Sequence, residues 1–216
     1  MYRNICLIGL PYSGKSVIGN KLYKHLNKGF IDTDDIIRHN YNRSLPKLIK
    51  CVGNTNFLDI EKNVITSLNH TNTILSTGGS VIYNEESMDH IKNVLDCEIY
   101  HLFLSKKEFL SRIDSLEDRG VIIKYGQTIK DLYNERIALY DKYADKTLSA
   151  SRPINLDLFR GETYIPVNND TYELSNYERD ICINKNNFPN YYPRSYYPGS
   201  YYPRSYYPRS YPSPPL

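Results

Sequence analysis

The stretch Gly9-Leu10-Pro11-Tyr12-Ser13-Gly14-Lys15-Ser16 decides how this chain folds. It fits the pattern G-x-x-x-x-G-K-[ST], and it stands between the apolar run "NICLIGL" at 4–10 and a segment in which Val17, Ile18, Leu22 and Leu26 recur at helical spacing. A strand, a glycine-rich turn and a helix in that order make a phosphate-binding P-loop. The glycines let the backbone curl so that its N–H groups surround phosphate oxygens, and the helix N-terminus adds its positive end. On this reading Gly9, Pro11, Tyr12, Ser13, Gly14, Lys15, Ser16 and Val17 line a nucleoside triphosphate, ATP or GTP. Lys15 neutralises the β- and γ-phosphates, and the Ser16 hydroxyl joins the shell of a Mg²⁺ ion.

Outward from this turn the alternation continues. "GFID" at 29–32 reads as a second strand, "NTILST" at 72–77 as a third, "EIYHLFL" at 98–104 as a fourth and "KTLSA" at 146–150 as a fifth. Helical spacing falls between them at 34–40, at 55–69 (Phe57, Ile60, Val64, Ile65, Leu68), over Met88–Leu95, at 105–113, and at 128–144. The last of these carries Ile129, Leu132, Tyr133, Leu139, Tyr140 and Tyr143. Strands alternating with helices predict an α/β domain with a parallel sheet covered on both faces. A polar segment at 114–127 interrupts the pattern, and past Ser151 the periodicity fails. The domain is read as 1–155, followed by an extension at 156–188 with no assigned layout.

The 216 residues allow one domain with a real core and an appendage. The appendage is explicit in the sequence. Residues 189–216 repeat "YYPRS", and proline at every fifth position blocks helix and sheet ladders, which predicts an extended, disordered or polyproline-like tail. The tail holds Arg194, Arg204 and Arg209 and no Lys, Asp or Glu, so residues 1–188 carry 24 of the 27 basic side chains against 24 acidic ones. A neutral body gives no nucleic-acid footprint. The Tyr pairs beside Arg leave stacking on single strands or docking to proline-reading domains open for the tail alone. No run has the length of a bilayer span and the N-terminus shows no cleavage site, which predicts a cytoplasmic protein. Cys6, Cys51, Cys97 and Cys182 have neither zinc-site spacing nor a disulfide pattern, and Cys6 and Cys97 fall in apolar runs that predict buried thiols.

The second strand ends in "FIDTDD", which places Asp32, Asp34 and Asp35 together. Charge at a strand end is costly unless water, a metal or a substrate uses it. Switch-type GTPases need D-x-x-G and N-K-x-D, and neither is present. Motor and transporter ATPases need longer chains. A small kinase for a metabolite or nucleotide remains.

The segments "GLPYSGKSVIGNKL", "FIDTDDII", "FLDIEKNVI", "ILSTGGSVI", "EDRGVI" and "NERIALYDKYAD" occur in the order and approximate spacing of shikimate kinases, and across about residues 3 to 155 the chain resembles that family. The resemblance implies a P-loop NTPase fold with a five-stranded parallel sheet, a mobile lid at 114–127, use of ATP and Mg²⁺, and transfer of the γ-phosphate to a hydroxyl of a small carboxylated ring. It also implies roles. Asp32 would hold the metal through water, and Asp34 would bind the accepting hydroxyl and take its proton. Gly78 and Gly79 would present backbone N–H groups between substrate and phosphate. Arg119 would reach in from the lid to the transferring phosphoryl group, and Arg136 would grip the substrate carboxylate. Arg112 would lie along the adenine, with Arg152-Pro153 on its other side. Asp35 is left to the solvated first turn of a helix, where an acid suits the dipole.

The chain also departs from the family's pattern. The F-x-x-[IL]-E segment usually carries an arginine that shares the substrate carboxylate, and here it reads Phe57-Leu58-Asp59-Ile60-Glu61, with Lys62 the closest cation in sequence. Losing one of two charged grips costs about a hundredfold in affinity, and Asp59 is expected to repel the same ligand. Ser80 replaces a third glycine, and the lid starts Arg119-Gly120-Val121-Ile122. Two alternatives therefore stand beside a shikimate kinase-like enzyme. One is another small-molecule kinase, gluconate- or nucleotide-directed; the other is a nucleotide-binding relative without catalysis that acts through its tail.

Overall fold

The first strand, β1 (Asn4–Ile8), is buried along its whole length, as a continuous apolar run requires when both faces of a parallel sheet are covered. The computed structural model describes residues 3–113 and 120–160. Its sheet has the order β2-β3-β1-β4-β5, every pair parallel, with β2 at Gly29–Asp32, β3 at Thr73–Ser76, β4 at Cys97–Phe103 and β5 at Lys146–Ser149. The register sets Ile5 beside Ile74, Ile8 beside His101 and Asp32 beside Ser76. These pairings bring the turn after β1, the carboxylates after β2 and the glycines after β3 to one end of the sheet. From β1 the chain goes one way to β3 and β2 and the other way to β4 and β5, so a crevice opens at the carboxyl end of β1, where open α/β sheets bind ligands.

The helices are α1 (Lys15–Leu26), α2 (Thr33–Tyr41), α3 (Leu45–Thr66), α4 (Glu85–Asp89), α5 (Lys106–Arg112) and α6 (Ile129–Tyr143). Two differ from the sequence reading. α3 begins ten residues earlier than expected, with Pro46 in its first turn and a break at Gly53 (φ 81°, ψ 165°) that joins two helical pieces across a kink. Only Leu45 and Leu48 of the first piece are buried, too few to show a periodic face. The single helix predicted over Met88–Leu95 is instead α4 followed by a π-helical turn, His90–Val94.

Among the described residues, Ile5, Leu7, Leu22, Ile74, Tyr100 and Phe159 pack as one core cluster. Phe159 belongs to a 3₁₀ helix at Leu156–Arg160, its ring centroid 4.3 Å from that of Tyr100. The packed body therefore extends past the boundary at 155 read from the sequence. Burying the Phe159 ring contributes about 2 kcal/mol, but one aromatic in a five-residue 3₁₀ helix has no period to detect. Cys6 and Cys97 are buried as expected and Cys51 is exposed. Among the described residues no helix is long and apolar enough to cross a membrane. Arg119, Cys182 and the YYPRS tail lie outside the described residues.

Candidate functional site

The turn after β1 closes on its own lysine. Gly14 takes the left-handed conformation at the start of α1 (φ 84°, ψ 17°), a geometry that favours glycine, and the Ile18 N–H donates to the Gly14 carbonyl at 2.9 Å. Lys15 then folds back, and its Nζ donates to the carbonyls of Gly9 at 2.8 Å and Leu10 at 2.9 Å. The ammonium is buried beside Ser13. Burial pushes it down to about 8, while Asp34 and Asp32 pull the other way. Arg112, at the end of α5, donates from Nη1 to the Tyr12 carbonyl at 3.0 Å, so this sequence-predicted residue does reach the loop. Arg152 is exposed in the segment after β5, and its neighbour Ser151 bonds Glu108 in the first turn of α5.

β2 delivers the carboxylates. Asp32 is the N-cap of α2: its Oδ1 accepts from the Asp34 N–H at 3.0 Å, and its Oδ2 accepts from the Ser16 hydroxyl at 2.6 Å. Burial and the neighbouring Asp34 push Asp32 up to about 7. Asp34 also moves up through desolvation, held back by Arg38 and Lys15. Asp35 corrects the expectation of a solvated helix-turn acid. Its side chain is 12% exposed and pairs with Arg38, one turn on along α2.

The glycines after β3 are where the elements meet. A Cβ placed on Gly78 would lie 2.3 Å from Glu61 Oε1 and 2.9 Å from Asp34 Oδ1, so only glycine lets both carboxylates approach this backbone. The Gly78 N–H donates to Thr33 Oγ1 at 3.1 Å. That bond departs from the expectation that both glycine amides face a substrate, because Thr33 takes the first. The Gly79 carbonyl accepts from Tyr140 Oη at 2.6 Å, and Arg136 Nη1 is 3.1 Å from where a Gly79 Cβ would be.

Arg136 enters from α6, whose start is fixed by a capping box between Thr128 and Asp131. Only 1% exposed, it donates from Nε to Tyr83 Oη at 3.2 Å and from Nη2 to the Ile122 carbonyl at 3.0 Å. Holding a guanidinium dry against neutral partners leaves it suited to an anion.

Sequence reasoning quoted Glu61 but gave it no role. It is buried beneath the site, desolvation pushes it up to about 8, and the Ser80 hydroxyl donates to its Oε2 at 2.5 Å. The signal was there: a glutamate four residues after Phe57 falls on the same buried face of α3. Leu58 lines a cleft of about 270 Å³ together with Asn54, Thr55, Tyr83, Ile122 and Lys124. Asp59 does not. One residue on, the helix has turned about 100°, and its half-exposed carboxylate lies 3.8 Å from Lys62 Nζ. Lys62 is also 3.8 Å from Glu86. The carboxylate expected to repel the ligand is thus paired with a lysine, and neither side chain lines the cleft.

The family model for shikimate kinase matches residues 11–159. The chain is 35% identical over 150 residues to the shikimate kinase of Bacillus subtilis (67% of this chain, 78% of that protein), and 32% identical over 143 residues to that of Clostridium botulinum strain Okra (64% and 83%). Among solved structures, shikimate kinase from Aquifex aeolicus matches with a TM-score of 0.58 and 30% identity, covering 69% of this chain and 87% of that one. Shikimate kinase from Acinetobacter baumannii in complex with shikimate matches with a TM-score of 0.65 and 24% identity, over 74% and 90%. The motif, the parallel sheet, the approach of Asp34 to Gly78 and of Arg136 to Gly79, and these likenesses lead to one assignment: the chain belongs to the shikimate kinase family of ATP-dependent small-molecule kinases.

Proposed function

We propose that this chain transfers the γ-phosphate of ATP to a ring hydroxyl of shikimate or a close carboxylated analogue. The observation that carries this reading is that Asp34 approaches Gly78 and Arg136 approaches Gly79 at the carboxyl end of the sheet, with Lys15 within electrostatic reach of both from a third element. The loop from Gly9 to Val17 cradles the phosphates, and Lys15 exchanges its carbonyl partners for phosphate oxygens. Arg112 and Arg152 flank the adenine. Ser16 and Asp32 would hold Mg²⁺; among the described residues no cluster of three or more His, Cys, Asp or Glu side chains could do so, and a hydroxyl beside a carboxylate suits an ion that keeps waters and phosphate oxygens in its shell. When bound, Mg²⁺ neutralises charge on the phosphates.

Asp34 orients the accepting hydroxyl and takes its proton. Its upward shift makes it a stronger base than an ordinary carboxylate, and Lys15 keeps it ionised enough to act. The hydroxyl oxygen forms a bond to the γ-phosphorus as the bond to the β–γ bridging oxygen breaks, and ADP leaves. Arg119 stabilises the charge on the phosphoryl oxygens, the Gly79 amide lies between the two substrates, and Arg136 holds the acceptor's carboxylate. Leu58 supports a second reading, a related kinase acting on a different hydroxylated acceptor, because it removes the charge usually offered at that place. A coupled ADP-release assay against shikimate, gluconate, other hydroxy acids and nucleosides separates the two. Turnover is expected with shikimate and lost in Asp34→Asn by about 10²-fold or more; turnover of another acceptor alone would replace the first reading with the second.

A further inference from the structure

Leu58 leaves one wall of the acceptor cleft apolar, but it does not leave the cleft without a cation. Lys124 lines it too, and Asn54, Thr55, Leu58, Tyr83 and Ile122 are all uncharged. Its placement is built from both sides. Asn54 Nδ2 on α3 donates to the Ile123 carbonyl at 2.9 Å, and Arg136 on α6 donates to the Ile122 carbonyl at 3.0 Å. The two bonds tie the segment that carries Ile122 and Lys124 to helices α3 and α6. A turn then fixes the lysine's backbone: Lys124 N donates to Gln127 Oε1 at 3.1 Å and Gln127 N donates to the Lys124 carbonyl at 3.0 Å.

We propose that Lys124 is the second cation of the acceptor site, so that a carboxylate is held by Lys124 and Arg136 about the shared ring of Tyr83, in place of an arginine at 58. This rests on the acceptor reading given above. The Tyr83 ring centroid is 5.5 Å from Lys124 Nζ and 5.3 Å from Arg136 Cζ, and Tyr83 is itself fixed by the bond from Arg136 Nε. The two cations play unlike parts. Arg136 is buried and fixed, whereas the Lys124 side chain is 63% exposed and tied to Glu135, whose other oxygen accepts from Gln127. An exposed Lys–Glu pair is worth at most about 1 kcal/mol, too little to hold the ammonium against an incoming carboxylate already paired with Arg136. Lys124 thus moves from Glu135 to the ligand, and Glu135 competes with the acceptor for it.

That competition gives the test, because a purely structural ion pair would respond alike to the loss of either partner. Full-length chain is titrated with shikimate by calorimetry and assayed for ADP release in four forms: unaltered, Lys124→Met, Lys124→Arg and Glu135→Gln. Lys124→Met is expected to raise the Kd and KM for shikimate roughly tenfold, with the KM for ATP unchanged. Lys124→Arg should stay near the unaltered chain, and Glu135→Gln should lower the Kd by a fewfold. An unmoved Kd in Lys124→Met, equal shifts in Lys124→Met and Glu135→Gln, or an unaltered chain that does not bind shikimate would each overturn the proposal. Binding without turnover would instead defeat the phosphoryl-transfer reading, and the Kd shift would still decide the role of Lys124.

Discussion

The two halves of the site are held together by different kinds of bond. On the proposed nucleotide side the turn closes mainly on itself: Lys15 bonds Gly9 and Leu10, Ser16 bonds Asp32 at the end of β2, and Arg112 of α5 is the contributor from far along the chain. On the proposed acceptor side the partners sit on separate helices and connecting segments. Glu61 of α3 meets Ser80, Arg136 of α6 meets Tyr83 and Ile122, and Asn54 meets Ile123. A local device is specified by a short motif and resists change as a unit. A cleft assembled from three separated segments can exchange one residue for another while the fold stays the same, and it is here that Leu58 and Ser80 depart from the family's pattern.

The sharpest way to break this contrast is at Lys15. Lys15→Met should lower kcat by about 10³-fold, read in the coupled assay, since the turn closes on the Lys15 ammonium through the Gly9 and Leu10 carbonyls, and that charge is the one proposed to meet the phosphates. Residual activity within tenfold would mean that the nucleotide half is no more fixed than the acceptor half. Next in size is Leu58→Arg. An arginine there faces the cleft with Lys124 opposite, and the KM for shikimate should fall roughly tenfold or more while the KM for ATP stays constant. An unchanged or higher shikimate KM would show that the cleft has been reshaped for another acceptor.

Glu61 offers a smaller effect through stability. Its carboxyl ordinarily titrates at 4.5, and in the folded chain it is pushed up to about 8 by burial, with Asp34 reinforcing and Ser80 and Arg136 opposing. A raised carboxyl favours the folded state fully below the ordinary value, and that contribution is lost as pH rises toward 8. Across the window from about 4.5 to 8 the loss is on the order of 1 kcal/mol per pH unit. Urea midpoints measured from pH 5 to 8 should therefore decline, and Glu61→Gln should flatten the decline. A profile in Glu61→Gln that falls as steeply as the original would assign the dependence to other groups. The smallest expectation concerns the tail: removal of residues 189–216 should leave ATP affinity within twofold, and a larger loss would make the tail part of the nucleotide half.

The alternation of apolar strands with helical spacing was legible because β1, β3 and β4 are buried along nearly their whole length and each long helix shows one apolar side, whereas the edge strands β2 and β5 are less covered. The turn proposed to hold the nucleotide was legible for a related reason, since eight consecutive residues carry the curl, the charge and the helix start. What escaped the sequence was short or irregular. The Leu156–Arg160 turn, the π-helical turn at His90–Val94 and the first piece of α3 have too few buried positions to form a period. Asp35 was misplaced because helix-turn logic places an acid near the dipole but does not know of Arg38 packed over it.

By itself the sequence determined the parallel α/β frame and the glycine-rich turn between its first strand and first helix, because these depend on local periodicity and on contiguous residues; the resemblance it carries nominates Asp34 as the candidate base. Only the tertiary structure decided that Thr33 occupies the Gly78 amide, that Glu61 lies buried against Ser80, and that Lys124 but not Asp59 lines the cleft beside Leu58. Those outcomes rest on side chains far apart in sequence, and whether two of them meet is fixed by how helices lie on the sheet.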